Sequence, residues 1–268
     1  MILQQPALGR RLVAETVGTG ILAMVVIGSG IQAAALTQDG ALRFLANVLA
    51  SVCALGVLIA LLGPVSGAHL NPLLSAGVWW TGRGRPGGLS GRELAGYVLA
   101  QVTGAVAGAV LANGMFRRPA VDLSHHVRTG GALWTGEVVA TGVLLLLVFG
   151  LTRGGRDRYA PVAVAGWISA ACWGTASGSF ANPALTVGRA FSDSYAGIAP
   201  GSVPAFVLAQ LVGAVAGLTL VSVLFGGERP AAGDAVPVEE VTPELRETAG
   251  PVREPVAELI RKPRLSRA

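Results

Sequence analysis

The chain has 268 residues, 52% hydrophobic and 13% charged, with 38 glycines and a mean hydropathy of +0.60, a balance that excludes an ordinary soluble domain and points to a membrane protein. Its formal charge of +5 does not argue for nucleic acid, because 19 of the 20 basic residues are arginine, most of them flanking apolar runs or in the C-terminal tail, and nothing resembles a nucleic-acid module. The two cysteines, Cys53 and Cys172, lie inside apolar runs, where a thiol behaves as a small hydrophobe; this argues against a disulfide or a metal centre.

In chain order, apolar runs at 11–36, 44–64, 94–116, 131–152, 160–177 and 203–226 each approach the length of about 20 residues that spans a bilayer as helix. The first follows Arg10 and Arg11 but is long and lacks a convincing cleavage site, so it is expected to be retained rather than removed as a signal peptide. Six spans put both termini on one side. Arg10, Arg11, Arg83, Arg85, Arg92, Arg153, Arg156 and Arg158 would share that side, against Arg43, Arg117, Arg118, Arg128 and Arg189 on the other. The positive-inside bias then predicts a multi-pass plasma-membrane or inner-membrane protein with cytoplasmic termini.

Three segments recur in order. Glu15 to Leu22 (ETVGTGIL) matches Glu137 to Leu144 (EVVATGVL), Ser66 to Leu74 (SGAHLNPLL) matches Ser177 to Leu185 (SGSFANPAL), and Val98 to Gly108 (VLAQVTGAVAG) matches Val207 to Gly217 (VLAQLVGAVAG). Three matches in register indicate a duplication. Each copy holds three spans, an odd number, so the copies are expected to be inverted in the membrane. The expected divisions are a first repeat over 1–118, a second over 119–227, and a disordered cytoplasmic tail over 228–268, which carries eight acidic and seven basic residues. Gly104, Gly108, Gly213 and Gly217, four apart within each pair, are expected to let helices approach closely.

Asn71-Pro72 and Asn182-Pro183 each follow the second span of a copy. Asparagine at the N-cap and proline at the first helical position predict half-membrane helices over 72–81 and 183–191. Inversion brings Asn71 and Asn182 together near the midplane, with two positive helix ends and the asparagine NH2 groups facing the space between. Such a site suits water or a hydroxyl and opposes a cation.

At these residues the chain resembles the aquaporin and glycerol-facilitator (major intrinsic protein) family, by the two Asn-Pro motifs, the paired Glu15 and Glu137, and the repeated Gln101 and Gln210. The resemblance covers about residues 8–227 and leaves the tail outside. It implies an all-α membrane protein of six tilted helices plus two half-helices, assembled as a homotetramer with one pore per subunit, with no cofactor and no catalysis. Glu15 and Glu137 are implied to anchor the half-helix loops, and His69 to line the pore. His125 and His126 are expected to be solvated rather than metal-binding.

Two departures stand out. The first motif is Asn71-Pro72-Leu73, which sets a larger side chain at the midplane contact, where Leu73 is expected to line the pore with His69. The family's filter positions fall, by counting from the asparagines, on Ser51, Ala170, Ser179 and Leu185. None is aromatic, histidine or charged, so a wide, less polar opening is expected. Leu185 stands where the family carries an arginine, and Arg189 comes four residues later. A vestibule or structural role is expected for Arg189, with a displaced filter arginine as the alternative. The stretch NPALTVGRAFSDSYAGIAP also resembles a bacterial subgroup found beside arsenic-resistance functions. The expected function is therefore a passive channel for water and small uncharged solutes, including glycerol-like polyols and neutral metalloid hydroxides such as arsenite. Alternatives are a water-selective aquaporin, an ion-coupled secondary transporter, and a regulatory partner acting through the tail.

Overall fold

A bilayer offers no water to unpaired backbone, so apolar runs of this length satisfy their amides internally as helices. The computed structural model describes residues 6–226, and those residues contain helices and no strand. The long ones are α1 (Leu8–Leu36), α2 (Gly40–Ser66), α4 (Gly91–Met115), α5 (Gly131–Arg153) and α8 (Val203–Phe225), with α6 (Ala160–Gly174) shorter. Between them sit the half-helices α3 (Pro72–Gly82) and α7 (Pro183–Arg189). The expected tail over 228–268 lies outside the described residues.

Among the described residues, five helices are long and apolar enough to cross a membrane. The remaining expected span, 160–177, is α6 with its end corrected: it stops at Gly174, where Thr175 turns extended, and a single 3-10 turn at Asp157–Tyr159 precedes it. The second half-helix is likewise shorter than expected, because the chain leaves helical bonding after Arg189 rather than at 191. Large apolar side chains such as Val13, Leu61, Leu99, Val215 and Val223 remain exposed on the outer surface, a belt suited to lipid rather than water.

Helix ends are set by local chemistry. Asp39 accepts from the Leu42 amide at 2.8 Å to start α2, and Ser90 with Glu93 forms a reciprocal capping box on α4. Glu93 also accepts from Arg11 Nη1 at 2.9 Å, Arg11 Nε donates to the Tyr97 hydroxyl at 2.9 Å, and that hydroxyl donates to the Ser66 carbonyl at 2.8 Å. One chain of bonds thus joins α1, α4 and the end of α2.

The two copies pack alike, α1 against α4 and α5 against α8. Their crossings are held by the repeated glycines. A Cβ on Gly104 would stand 2.2 Å from the Thr16 carbonyl and one on Gly108 2.1 Å from that of Gly20; in the second copy, one on Gly213 would stand 2.4 Å from the Val138 carbonyl and one on Gly217 2.2 Å from that of Gly142. The obstacles are backbone atoms, which cannot swing aside, so the helices would have to separate. Gly217→Val is expected to cost about 3 kcal/mol or more through overpacking. The check is thermal unfolding in detergent, where the midpoint should drop by on the order of 10 °C; an unchanged midpoint would show that the α5–α8 crossing has slack.

Candidate functional site

The half-helices begin on their asparagines. Asn71 Oδ1 accepts from the Leu73 amide at 2.9 Å, and Asn182 Oδ1 accepts from the Ala184 and Leu185 amides at 3.0 and 3.3 Å. Pro72 and Pro183 take the first helical positions, where a missing N–H costs nothing. The other end of each side chain reaches across to the opposite copy. Asn71 Nδ2 donates to the Ala181 carbonyl at 2.8 Å, and Asn182 Nδ2 donates to the Leu70 carbonyl at 2.7 Å. This refines the expectation of wholly free amides: one hydrogen of each NH2 locks the two loops together, and the second remains for the cavity.

The loops before the asparagines have matching backbones. Ala68 and Leu70 adopt φ of +47° and +49°, and their counterparts Ser179 and Ala181 adopt +51° and +48°. Left-handed conformation at non-glycine residues costs on the order of 1 kcal/mol or more each, and persists only where the surroundings enforce it. The enforcers are the two buried carboxylates. Glu15 accepts from the His69 amide at 3.0 Å, the Leu70 amide at 2.7 Å, the Ser66 hydroxyl at 2.6 Å and Gln101 Nε2 at 2.7 Å. Glu137 accepts from the Phe180 amide at 2.8 Å, the Ala181 amide at 2.9 Å and Gln210 Nε2 at 2.6 Å. Each glutamine then donates to a half-helix hydroxyl, Gln101 to Ser75 at 2.9 Å and Gln210 to Thr186 at 3.0 Å.

Between the loops and the helices lies a cavity of about 400 Å³. Val48, Leu55 and Ile59 of α2 with Val164 and Ile168 of α6 form an apolar wall, while His69, Asn71, Ser179 and Asn182 lie on the loop side. Ser51, Leu185 and Arg189 also line it. The Ser51 hydroxyl is turned back onto its own helix, donating to the Asn47 carbonyl at 2.7 Å. The Ser179 hydroxyl is buried and has no protein partner among the described residues. His69 Nδ1 sits 3.0 Å from the Ser75 hydroxyl.

Two expected positions are corrected. Ala170 is exposed on the outside of α6, and the cavity-facing stripe of that helix is Ala160, Val164, Ile168 and Cys172. At about 100° per residue, position 170 points away from both 168 and 172. The last α6 residue of that stripe is Cys172, whose thiol donates to the Gly178 carbonyl at 3.3 Å. It stands ten residues before Asn182, not twelve, and its spacing of four from Ile168 is the signal that the count overlooked. Leu73, expected to line the pore, instead packs with Leu145, Phe149 and Val221, and Leu74 takes the lining place.

At the Arg189 end the cavity holds residues that the sequence did not assign to it, His126 among them, which was expected to be solvated. Arg128 lines it together with His126, Phe180 and Tyr195. Arg128 Nε donates to the Gly197 carbonyl at 2.9 Å, and Arg189 Nε donates to the Ala196 carbonyl at 2.5 Å. Both guanidiniums lie over Phe180, Arg189 at 3.3 Å and Arg128 at 5.2 Å from the ring centroid. Burial pulls the Arg128 pKa below its ordinary value, and burial lowers that of His126 as well. Asp193 is held below the usual carboxylate range chiefly by the His125 backbone N–H, and its carboxylate lies 3.1 Å from the His125 ring.

Comparison with known proteins agrees with this fold. The sequence matches the family model described as Major intrinsic protein over residues 2–170 and 158–260. The aquaglyceroporin AqpS of Rhizobium meliloti is 46% identical over 228 residues, covering 85% of this chain and 95% of that protein. The glycerol uptake facilitator protein of Pseudomonas aeruginosa is 28% identical over 281 residues, covering 90% and 97%. Among solved structures, the aquaglyceroporin from Plasmodium falciparum shares the fold with a TM-score of 0.61 at 20% identity, over 82% of this chain and 96% of that one.

Proposed function

The chain belongs to the major intrinsic protein family of membrane channels for water and small solutes, and from that premise we propose that it passes polyol-sized uncharged solutes as well as water, downhill and uncoupled. The supporting observation is the two-faced cavity, with an apolar wall from α2 and α6 opposite the loops that carry His69, Asn71 and Asn182. A polyol has the same division, a carbon backbone on one side and hydroxyls on the other. Glu15 and Glu137 hold the loop amides, which leaves loop carbonyls as acceptors and the second asparagine hydrogens as donors. Neutral metalloid hydroxides such as arsenite present hydroxyls of the same kind and belong to the same solute class.

In this reading Ser51, Cys172, Ser179 and Leu185 set the bore, Arg189 stands in the vestibule, and the halves 1–118 and 119–227 enter the bilayer from opposite sides. The arginine bias places the termini in the cytoplasm, and a homotetramer with one pore per subunit completes the assembly.

Purified protein in vesicles is expected to raise glycerol uptake several-fold above the protein-free leak, as followed by light scattering after an osmotic step. An imposed proton or sodium gradient should leave the rate unchanged. Water flux without glycerol flux would establish the water-selective alternative, and a gradient-dependent rate would establish the coupled one.

A further inference from the structure

Arg128 and Arg189 reach the same place from distant parts of the chain, one from the loop before α5 and the other from the end of α7. Their Nε–H groups are fixed by consecutive carbonyls, those of Gly197 and Ala196. Both guanidiniums lie over the Phe180 ring, and both residues line the cavity. Neither has a carboxylate partner among the described residues, and the neighbouring Asp193 pairs with His125 instead. Arg128 Nη2 makes only a long 3.4 Å contact with the Tyr195 carbonyl, and the terminal nitrogens of Arg189 have no protein acceptor among the described residues.

The nearby Glu137 carboxylate is taken up by the Phe180 and Ala181 amides and Gln210, so two anchored cations beside a hydrophobic ring, with terminal N–H groups left over and no carboxylate bonded to them, form a receptor for an anion. A guanidinium fork matches a planar or tetrahedral oxyanion in two bonds at once, which a spherical halide cannot reproduce. We infer that Arg128 and Arg189 form a binding site for a small oxyanion at the mouth of the channel, and that its occupant obstructs the passage of neutral solutes. The obstruction rests on the conduction reading above; the binding does not.

The probe is inorganic phosphate, exchanged for chloride at constant ionic strength on both sides of glycerol-permeable vesicles, with thermal unfolding of the detergent-solubilised protein as a second readout. Phosphate should lower wild-type glycerol permeability at least threefold and saturably, and raise the unfolding midpoint by several degrees, as binding to the folded state alone requires. In Arg128→Gln and Arg189→Gln both responses, each taken as the ratio of phosphate to chloride within one variant, should fall to one for flux and zero for the midpoint. Their midpoints in chloride report whether they fold. Arg189→Lys keeps a charge without the fork and should show a weakened response. A wild type indifferent to phosphate in both readouts overturns the site, as do glutamine variants that respond like wild type. A raised midpoint with unchanged flux overturns the obstruction. Absence of any glycerol flux with the midpoint response intact upholds the site and sinks the conduction reading instead.

Discussion

Replacing Glu137 with alanine is expected to bring glycerol permeability down to the protein-free leak and to destabilise the fold by roughly 3–9 kcal/mol, since each buried donor left without an acceptor costs about 1–3 kcal/mol. Three donors are involved: the Phe180 amide, the Ala181 amide and Gln210 Nε2. No water of bulk character reaches them, because Glu137 and Gln210 are completely buried. The loss is also geometric. Ser179 and Ala181 hold left-handed backbone, and without the carboxylate the loop is free to relax toward extended conformations, withdrawing the Ala181 carbonyl from Asn71. Glu137→Gln restores one acceptor but sets an NH2 against donors, so it should fall between wild type and alanine. Denaturation in detergent and vesicle uptake measure the two effects separately. Wild-type stability and flux in Glu137→Ala would show that the loop is held by something other than this carboxylate.

The same clamp explains how much of the site could be read in the sequence. Glu15 and Glu137, the Asn-Pro pairs and the glutamines are chemically unusual in apolar runs, so their repetition exposes the duplication and the half-helices without any alignment. The loop conformation was not legible, because alanine and leucine at 68, 70 and 181 carry no mark of left-handed backbone; the strain is imposed by carboxylates far away in sequence. Counting residues back from Asn182 misplaced the α6 wall, since the length of the turn after Gly174 is a tertiary outcome that composition does not reveal. Arg128 was legible only as a charge flanking a span. What turns it into the cavity is the carbonyl of Gly197, 69 residues away. Leu73 was misread for a related reason: the helix phase set by Pro72 points it at Leu145 and Phe149, not at the lumen.

Leu185→Arg is expected to lower glycerol permeability on the order of tenfold, a barrier increase of about 1.4 kcal/mol, while reducing water permeability by less. Leu185 lines the cavity and packs with Leu22, Val26 and Ala184, one side chain serving both as wall and as core. A longer, charged side chain there has only the lumen into which to extend its head, because a guanidinium set among those apolar neighbours would be left without partners. It would stand one turn, about 6 Å, from Arg189 on the same short helix, narrowing the bore and crowding the two existing cations. Glycerol must shed more of its hydration and fit more of its length through that narrowing than water does. Leu185→Ala, which widens the same point, should leave glycerol flux equal or higher, and so separates bore from charge. Arg189→Ala should change the glycerol-to-water ratio less than Leu185→Arg does, because its guanidinium is already drawn aside onto the Ala196 carbonyl and the Phe180 ring. The decisive comparison is the ratio of the two permeabilities across the three variants. A larger change from Arg189→Ala than from either substitution at 185 would mean that the displaced guanidinium, not the leucine, discriminates between solutes.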